Sequence, residues 1–317
     1  MVKGRAPLVG EKLNMACPPS LFSPIDPFVN CGLLNQDLRK IEQEGLKNKS
    51  SISIIAKSVL TRLLFNSAYP CPDPVMLCGL EISNITTKDV ILWLREPCPN
   101  DRAKVVYFAN MHNVNTCVRD SELTRLYNRA DFVLPDGVGL RIGVKLLRKR
   151  FKENISGTNL LPLLCRFSVE QETPIYLIGG KPGVAQRCAK KMKDAHPGLD
   201  TRALSDGYQS DYREVIQYLK ANGRKGGIVL VGMGVGNQER WIEQYKSVLA
   251  GYSIFAVGGL FDYHAGQIKR APKQWQSSGL EWLWRVKMEP RRLFVRYFGG
   301  FPEFLFYLVS WRWIQRD

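Results

Sequence analysis

The chain has 317 residues, 45% of them hydrophobic, enough for one substantial core with appendages. Its 45 Lys and Arg against 29 Asp and Glu give a formal charge of +16, which points to an anionic partner: nucleic acid, an anionic membrane surface or a phosphorylated substrate. Eight cysteines (17, 31, 71, 78, 98, 117, 165, 188) without a CxxC pair, and three unclustered histidines (112, 196, 264), argue against a disulfide framework and a zinc site.

The opening "MVKGRAPLVGEKLNMACPPS" lacks the continuous apolar core of a secretory signal. No apolar run approaches the roughly 20 residues that span a bilayer. The expected compartment is therefore the cytoplasm, with the cysteines reduced and mostly buried. Residues 1–76 read as an extension, its first 35 residues rich in Pro, Asn and Ser. "NQDLRKIEQEGLKNKSSISIIAKSVLTRLLF" predicts partly helical structure, with apolar faces at Leu38, Ile41 and Leu46 and again at Ile55, Val59 and Leu63. A packed helical cap and a docking or regulatory element would both give that pattern. "YPCPDP" then breaks the chain.

Residues 77–268 alternate strands with helices. "KVVYFAN" and "ADFVLPDG" are short apolar runs joined by a helix-like "VRDSELTRLYNR". "TPIYLIGG" leads through a glycine turn into "KPGVAQRCAKKMKDAH", "GGIVLVGMGVGNQERWIEQYKSVL" repeats that grammar, and "YSIFAVGG" is a further strand. Such alternation predicts an α/β, Rossmann-like fold with a mainly parallel sheet flanked by helices. Ligands in these sheets bind beyond the carboxyl ends of the strands. The candidate site therefore gathers residues 109–110, 135–137, 179–180, 232–238 and 258–259.

Residues 269–317 form an appendage with ten Lys and Arg against four Asp and Glu, and five of the seven Trp. Arg285, Arg292 and Arg296 share a helical face if the helix continues through Pro290, which can equally begin a second helix. Rings at headgroup level with cations toward phosphate suit an interfacial membrane helix. A basic surface helix packed on the core through its aromatics would use the same residues. No signature of a nucleic-acid-binding module is present, so nucleic acid is not the expected partner.

Among the motifs, Gly232, Gly234 and Gly236 follow an apolar strand and precede a helix, where backbone amides can approach a phosphate. A tight strand-to-helix turn is the plain alternative. Gly179 and Gly180 repeat the signal more weakly. The dinucleotide fingerprint, with its acidic partner, is missing, as are a DxD pair, a GxxxxGK[ST] loop and a GxSxG elbow. No metal and no cofactor are therefore expected, and Arg and Lys would have to offset any diphosphate charge. Asp136 and Gly137 end the strand "ADFVLPDG", where Asp-Gly is ordinarily a turn.

The order of these motifs resembles the WecG/TagA/CpsF bacterial glycosyltransferases (glycosyltransferase family 26). The resemblance covers about residues 77–300 and rests on "ANMHNVN", "RADFVLPDGVGLRIG", "ISGTNLLPLLC", "YLIGGKPGVAQ", "DGYQSD", "VGMGVGNQERWI", "AVGGLFDYHAGQIKRAP" and "GLEWLWRVKMEPRRL". It implies an inverting enzyme, peripheral on the inner face of the cell membrane, acting in exopolysaccharide assembly. Such an enzyme moves a hexose, N-acetylmannosamine or N-acetylmannosaminuronic acid from a UDP-sugar to a polyprenyl-diphosphate-linked sugar.

By the resemblance, Asp136 matches the general base, and Asn110 and Gln238 match further catalytic-site residues. Arg285, Arg292 and Arg296 match arginines that reach the nucleotide diphosphate. Gly137, Gly179, Gly180, Gly232, Gly234 and Gly236 then line the UDP-sugar site. The family's TxN threonine is replaced here by Phe108. A homo-oligomer is compatible with the family, whose site a neighbouring subunit or tail movement can complete. Two other readings share parts of the pattern: an NAD(P)-dependent nucleotide-sugar oxidoreductase, and a non-catalytic basic adaptor for membrane or nucleic acid.

Overall fold

The computed structural model describes residues 74–99, 101–147, 149–222, 226–266, 271–272, 275, 281–288 and 290–314. The chain divides into two units, Met1–Asp73 and Pro74–Asp317. The first, with the helices expected over residues 35–65, lies outside the described residues.

The second unit opens with a hairpin that the sequence reading did not foresee. Val75–Leu77 (β1) and Leu80–Ile82 (β2) pair antiparallel around Cys78 and Gly79, whose φ angles are 51° and 83°. Two successive left-handed residues make the tight turn that matches strand twist.

Alternating elements follow: Thr87–Leu94 (α1), Lys104–Ala109 (β3), Met111–Arg119 (α2), Ser121–Asn128 (α3), Phe132–Pro135 (β4) and Val138–Leu146 (α4). Then come Gly157–Glu170 (α5), Ile175–Gly179 (β5), Val184–Ala195 (α6), Thr201–Ser205 (β6), Arg213–Asn222 (α7), Gly227–Gly232 (β7), Asn237–Tyr245 (α8), Tyr252–Ala256 (β8) and Leu260–His264 (α9). Strands β3–β8 form one sheet in the order β4-β3-β8-β7-β5-β6, every neighbouring pair parallel. This is the mainly parallel, Rossmann-like α/β fold expected.

The central strands read as continuous apolar runs because both their faces are covered. In β3, Val105, Tyr107 and Ala109 join one core while Val106 and Phe108 join the other. In β7, Val229 and Val231 alternate in the same way with Ile228 and Leu230. The two-residue period thus distributes one strand between two helical layers. Helices α2, α3, α4, α7 and α8 cover the first face, and α1, α5, α6 and α9 the second. Adjacent strands β5 and β7 consequently send their chains to opposite faces, through α6 and α8. Their carboxyl ends thus form a topological switch point, the place where such sheets bind ligands.

The C-terminal segment continues as Glu281–Met288 (α10), Pro290–Phe294 (α11), a π-helical turn Val295–Gly299 and Gly300–Ile314 (α12). Pro290 starts α11, the position where a missing N–H costs nothing. Helix α12 is anchored by Phe304 and Leu308, both buried. A Cβ added at Gly143 of α4 would lie 2.5 Å from Phe304 Cζ, so α4 and α12 are in direct contact. Asn115 Nδ2 of α2 donates to Gly300 O at 2.8 Å, and Arg119 Nε donates to Glu303 Oε1 at 2.8 Å. Helix α12 therefore rests on the two helices that leave the ends of β3 and β4. Its outward Phe306, Val309 and Trp313 are 67%, 67% and 77% exposed. Among the described residues, no helix is long and apolar enough to cross a membrane.

Candidate active site

The site residues expected on the sheet all fall at its carboxyl edge. Ala109 and Pro135 are register partners, so Asn110 and Asp136 leave neighbouring strands about 4.8 Å apart. The Asp136 amide donates to Ala109 O at 2.8 Å, and Ile155 N donates to Pro135 O at 2.8 Å, which pins the strand end from both sides. Asp136 is half-buried. Gly137 caps α4 with φ 97°, a conformation that strains any residue with a Cβ. Nothing lies within 4 Å of where its Cβ would be, so the backbone here borders open space. The Gly137 amide is held by Asn154 Oδ1 at 2.8 Å. Gly139 differs: a Cβ there would lie 3.2 Å from Met111 Cβ, so the room it leaves is taken by Met111 and not by a sugar.

Asn110 is the N-cap of α2. Its Oδ1 accepts from the amides of His112 at 3.0 Å and Asn113 at 3.2 Å. One end of this side chain therefore orients a helix whose start lies on the rim. Phe108, matched by the resemblance to a threonine, belongs to the core on the other face of the sheet.

On the β5–β7 side the glycines divide into two kinds. A Cβ on Gly179 would overlap the backbone of Gly232, and one on Gly232 would lie 2.7 Å from Gly258 O. Gly180 N donates to Gly232 O at 2.7 Å, and its own Cβ would meet Val184 at 3.3 Å. These three let strand ends and loops pack backbone to backbone. Gly234, with φ 84°, borders open space instead. Gly236 has φ 91° and donates its amide to Glu239 Oε2 at 2.6 Å, so that amide is already engaged inside the protein.

Gln238 is buried. Its Nε2 donates to Glu239 Oε1 at 2.9 Å, and its Oε1 accepts from Gly258 N at 3.0 Å. It thus ties the loop after β7 to the loop after β8. Glu239, fully buried beneath it, also accepts from Tyr127 Oη at 3.0 Å, and Asn113 Nδ2 donates to Tyr127 Oη at 2.6 Å. Burial pushes the Glu239 carboxyl above the usual range, while the donors from Gln238, Gly236 and Tyr127 pull it back. Burial, with the Glu239 charge beside it, also raises the Tyr127 hydroxyl well above its ordinary value.

Glu239, Tyr127 and Asn113 were not among the expected site residues. Glu239 had a local signal, an acid three residues after a helix-capping glycine. Tyr127 and Asn113 had none, because they reach it only through the fold. Arg285 lies in α10, Arg292 in α11 and Arg296 in the π-helical turn, with their side chains outside the described residues. A cavity of about 550 Å3 opens at the opposite end of the sheet, lined by Cys98, Phe167, Gly226, Gly227 and Ser253 among others. Gly227 begins β7 and Gly232 ends it, so the cavity is roughly 16 Å from the rim. Among the described residues, no group of three or more His, Cys, Asp or Glu is arranged to hold a metal ion.

Comparison with known proteins adds two findings. Over 163 residues the chain is 32% identical to the N-acetylglucosaminyldiphosphoundecaprenol N-acetyl-beta-D-mannosaminyltransferase of Bacillus spizizenii, covering 51% of this chain and 63% of that protein. The profile of the glycosyl transferase WecG/TagA/CpsF family matches residues 75–317, the sheet, its rim and the C-terminal helices together. The chain belongs to the glycosyl transferase WecG/TagA/CpsF family.

Proposed function

We propose that this protein is an inverting glycosyltransferase that moves a hexose or an N-acetylmannosamine-type sugar from a UDP-sugar to a polyprenyl-diphosphate-linked sugar, peripheral on the anionic inner face of the cell membrane. The observation that carries the reading is the half-buried Asp136 carboxylate on the open part of the rim, beside the backbone of Gly137. Support comes from the family and from the relative's printed acceptor, a diphosphoundecaprenol-linked sugar.

Asp136 takes the proton from the acceptor hydroxyl as its oxygen attacks the anomeric carbon. The bond from that carbon to the UDP oxygen breaks, and configuration inverts. A general base of this kind contributes about 10²–10⁴-fold. From β4 to β7 the rim crosses three strand spacings, about 14 Å, enough for a sugar at Asp136 and its diphosphate toward Gly234. Negative charge on the departing UDP is offset by Arg285, Arg292 and Arg296. The reading assigns neither a metal nor a cofactor, so transfer is expected to persist in EDTA.

The membrane contact is assigned to the C-terminal appendage, whose Phe306, Val309 and Trp313 point outward. The test is a panel of UDP-sugars with polyprenyl-diphosphate-linked acceptors in vesicles, read as UDP release and lipid-linked product. Product from at least one donor is expected. No product from any donor, together with calorimetric binding of NAD(P) or an oligonucleotide in place of UDP, would overturn the reading.

A further inference from the structure

Helix α4 leaves the rim two residues after Asp136 and is divided into two faces. Leu140, Gly143 and Val144 are buried, the first and last in the core and Gly143 against Phe304 of α12. Arg141, Ile142, Lys145 and Leu146 all face outward, with Ile142 41% and Leu146 52% exposed. Exposed Lys149 and Arg150 continue the charge beyond the helix.

The cations here differ from the arginines that ion pairs hold elsewhere on the domain. Arg95, Arg102, Arg119, Arg129 and Arg240 each pair with a carboxylate. Among the described residues, Arg141, Lys145, Lys149 and Arg150 have no such partner. The nearby Glu153 carboxylate is occupied by the amide and hydroxyl of Thr87, at 2.7 and 2.6 Å. Positive charge thus begins little more than one helical turn from the carboxylate assigned to the chemistry and continues along α4 from Arg141 to Lys145, about 6 Å.

We propose that the outward face of α4 binds the diphosphate and first isoprenoid units of the lipid acceptor, holding its sugar at Asp136. The inference rests on the transferase reading above. Arg141 and Lys145 supply charge for the diphosphate, while Ile142 and Leu146, interleaved with them, supply apolar surface for the chain. Single-stranded nucleic acid would ask the same cations to be interleaved with stacking aromatics, and this face carries none. The contact of α4 with α12 joins the surface to the helix carrying the outward Phe306, Val309 and Trp313, so headgroup and membrane contacts lie on touching elements.

The test is an Arg141→Ser/Lys145→Ser double variant, whose two side chains are exposed and support nothing in the fold. Binding is measured by sedimentation with phosphatidylcholine vesicles carrying a small fraction of polyprenyl diphosphate. Phosphatidylglycerol vesicles of matched charge and an oligonucleotide serve as the other arms. Affinity for the diphosphate vesicles is expected to fall on the order of tenfold or more, with the loss at phosphatidylglycerol much smaller and UDP affinity unchanged. An Arg141→Lys/Lys145→Arg variant should retain binding.

Equal losses at both vesicle types would assign the face to anionic membrane in general. A loss confined to the oligonucleotide would assign it to nucleic acid. Either result, or unchanged binding throughout, overturns the proposal. Because the readout is binding, it stands apart from the donor panel. A wild-type protein that transfers no sugar yet shows the selective loss would sink the transferase reading and leave this site standing.

Discussion

The two sides of the rim are built differently. At β4 and β3, Asp136 is half-buried, the backbone at Gly137 borders open space, and the helices behind them carry exposed cations. At β7 and β8, Gln238 and Glu239 are buried, and their polar atoms are bound to Gly236, Gly258 and Tyr127. Both sides carry residues that matched functional positions by sequence. Asp136 on the first is half-buried beside open backbone, whereas Glu239 on the second is fully buried. The second side holds loops in register, and its polar groups act by positioning.

That contrast can be broken from either side, and the expected effects on stability rank its parts. The largest belongs to Phe304, which carries α12 onto α4: Phe304→Ala should cost about 3–5 kcal/mol, read as a lowered midpoint in urea. Its neighbour on the outward face behaves oppositely. Phe306→Ser should leave stability within about 0.5 kcal/mol and weaken vesicle sedimentation, because the ring touches solvent. Next comes Gly179→Ala, which forces a side chain against the backbone of Gly232 at a left-handed φ. A loss of roughly 1–3 kcal/mol is expected from overpacking alone, with strain added. Gly234→Ala, bordering open space, should cost only the left-handed backbone strain, about 1–2 kcal/mol.

Glu239→Gln falls in the same range as Gly179→Ala. It sets an amide nitrogen against either the Gly236 amide or the donors at the other oxygen, and should cost about 1–3 kcal/mol. The pH profile identifies it. A raised carboxyl binds its proton more tightly folded than unfolded, so its contribution is fully present below about pH 4 and is lost as pH rises through the raised value. Glu239→Gln should remove that slope from a series of urea midpoints. An unchanged slope would mean that Glu239 is not the buried group responsible.

Most of the sheet was legible because β3, β5, β7 and β8 are apolar runs ending in glycine or asparagine and followed by helical periodicity. Strand β6 was missed: "TRALS" at the sheet edge mixes exposed and buried positions, and no apolar run marks it. The β1–β2 hairpin was missed because its turn is Cys-Gly, where a reader looks for Asn-Gly or Asp-Gly. At the site, Asp136 and Gly137 could be singled out from chain order alone. The two kinds of glycine could not be separated, since Gly179 and Gly234 differ only in what the fold brings against them. Nor could the bond from Tyr127 to Glu239, which spans 112 positions of sequence.

The central claim is that the open side of the rim does the chemistry, and one variant tests it most directly. Asp136→Asn should leave the protein folded, yet single-turnover transfer to the lipid-linked acceptor should fall about 10²–10⁴-fold with UDP binding retained. Transfer at the wild-type rate by the folded Asp136→Asn protein would contradict the account.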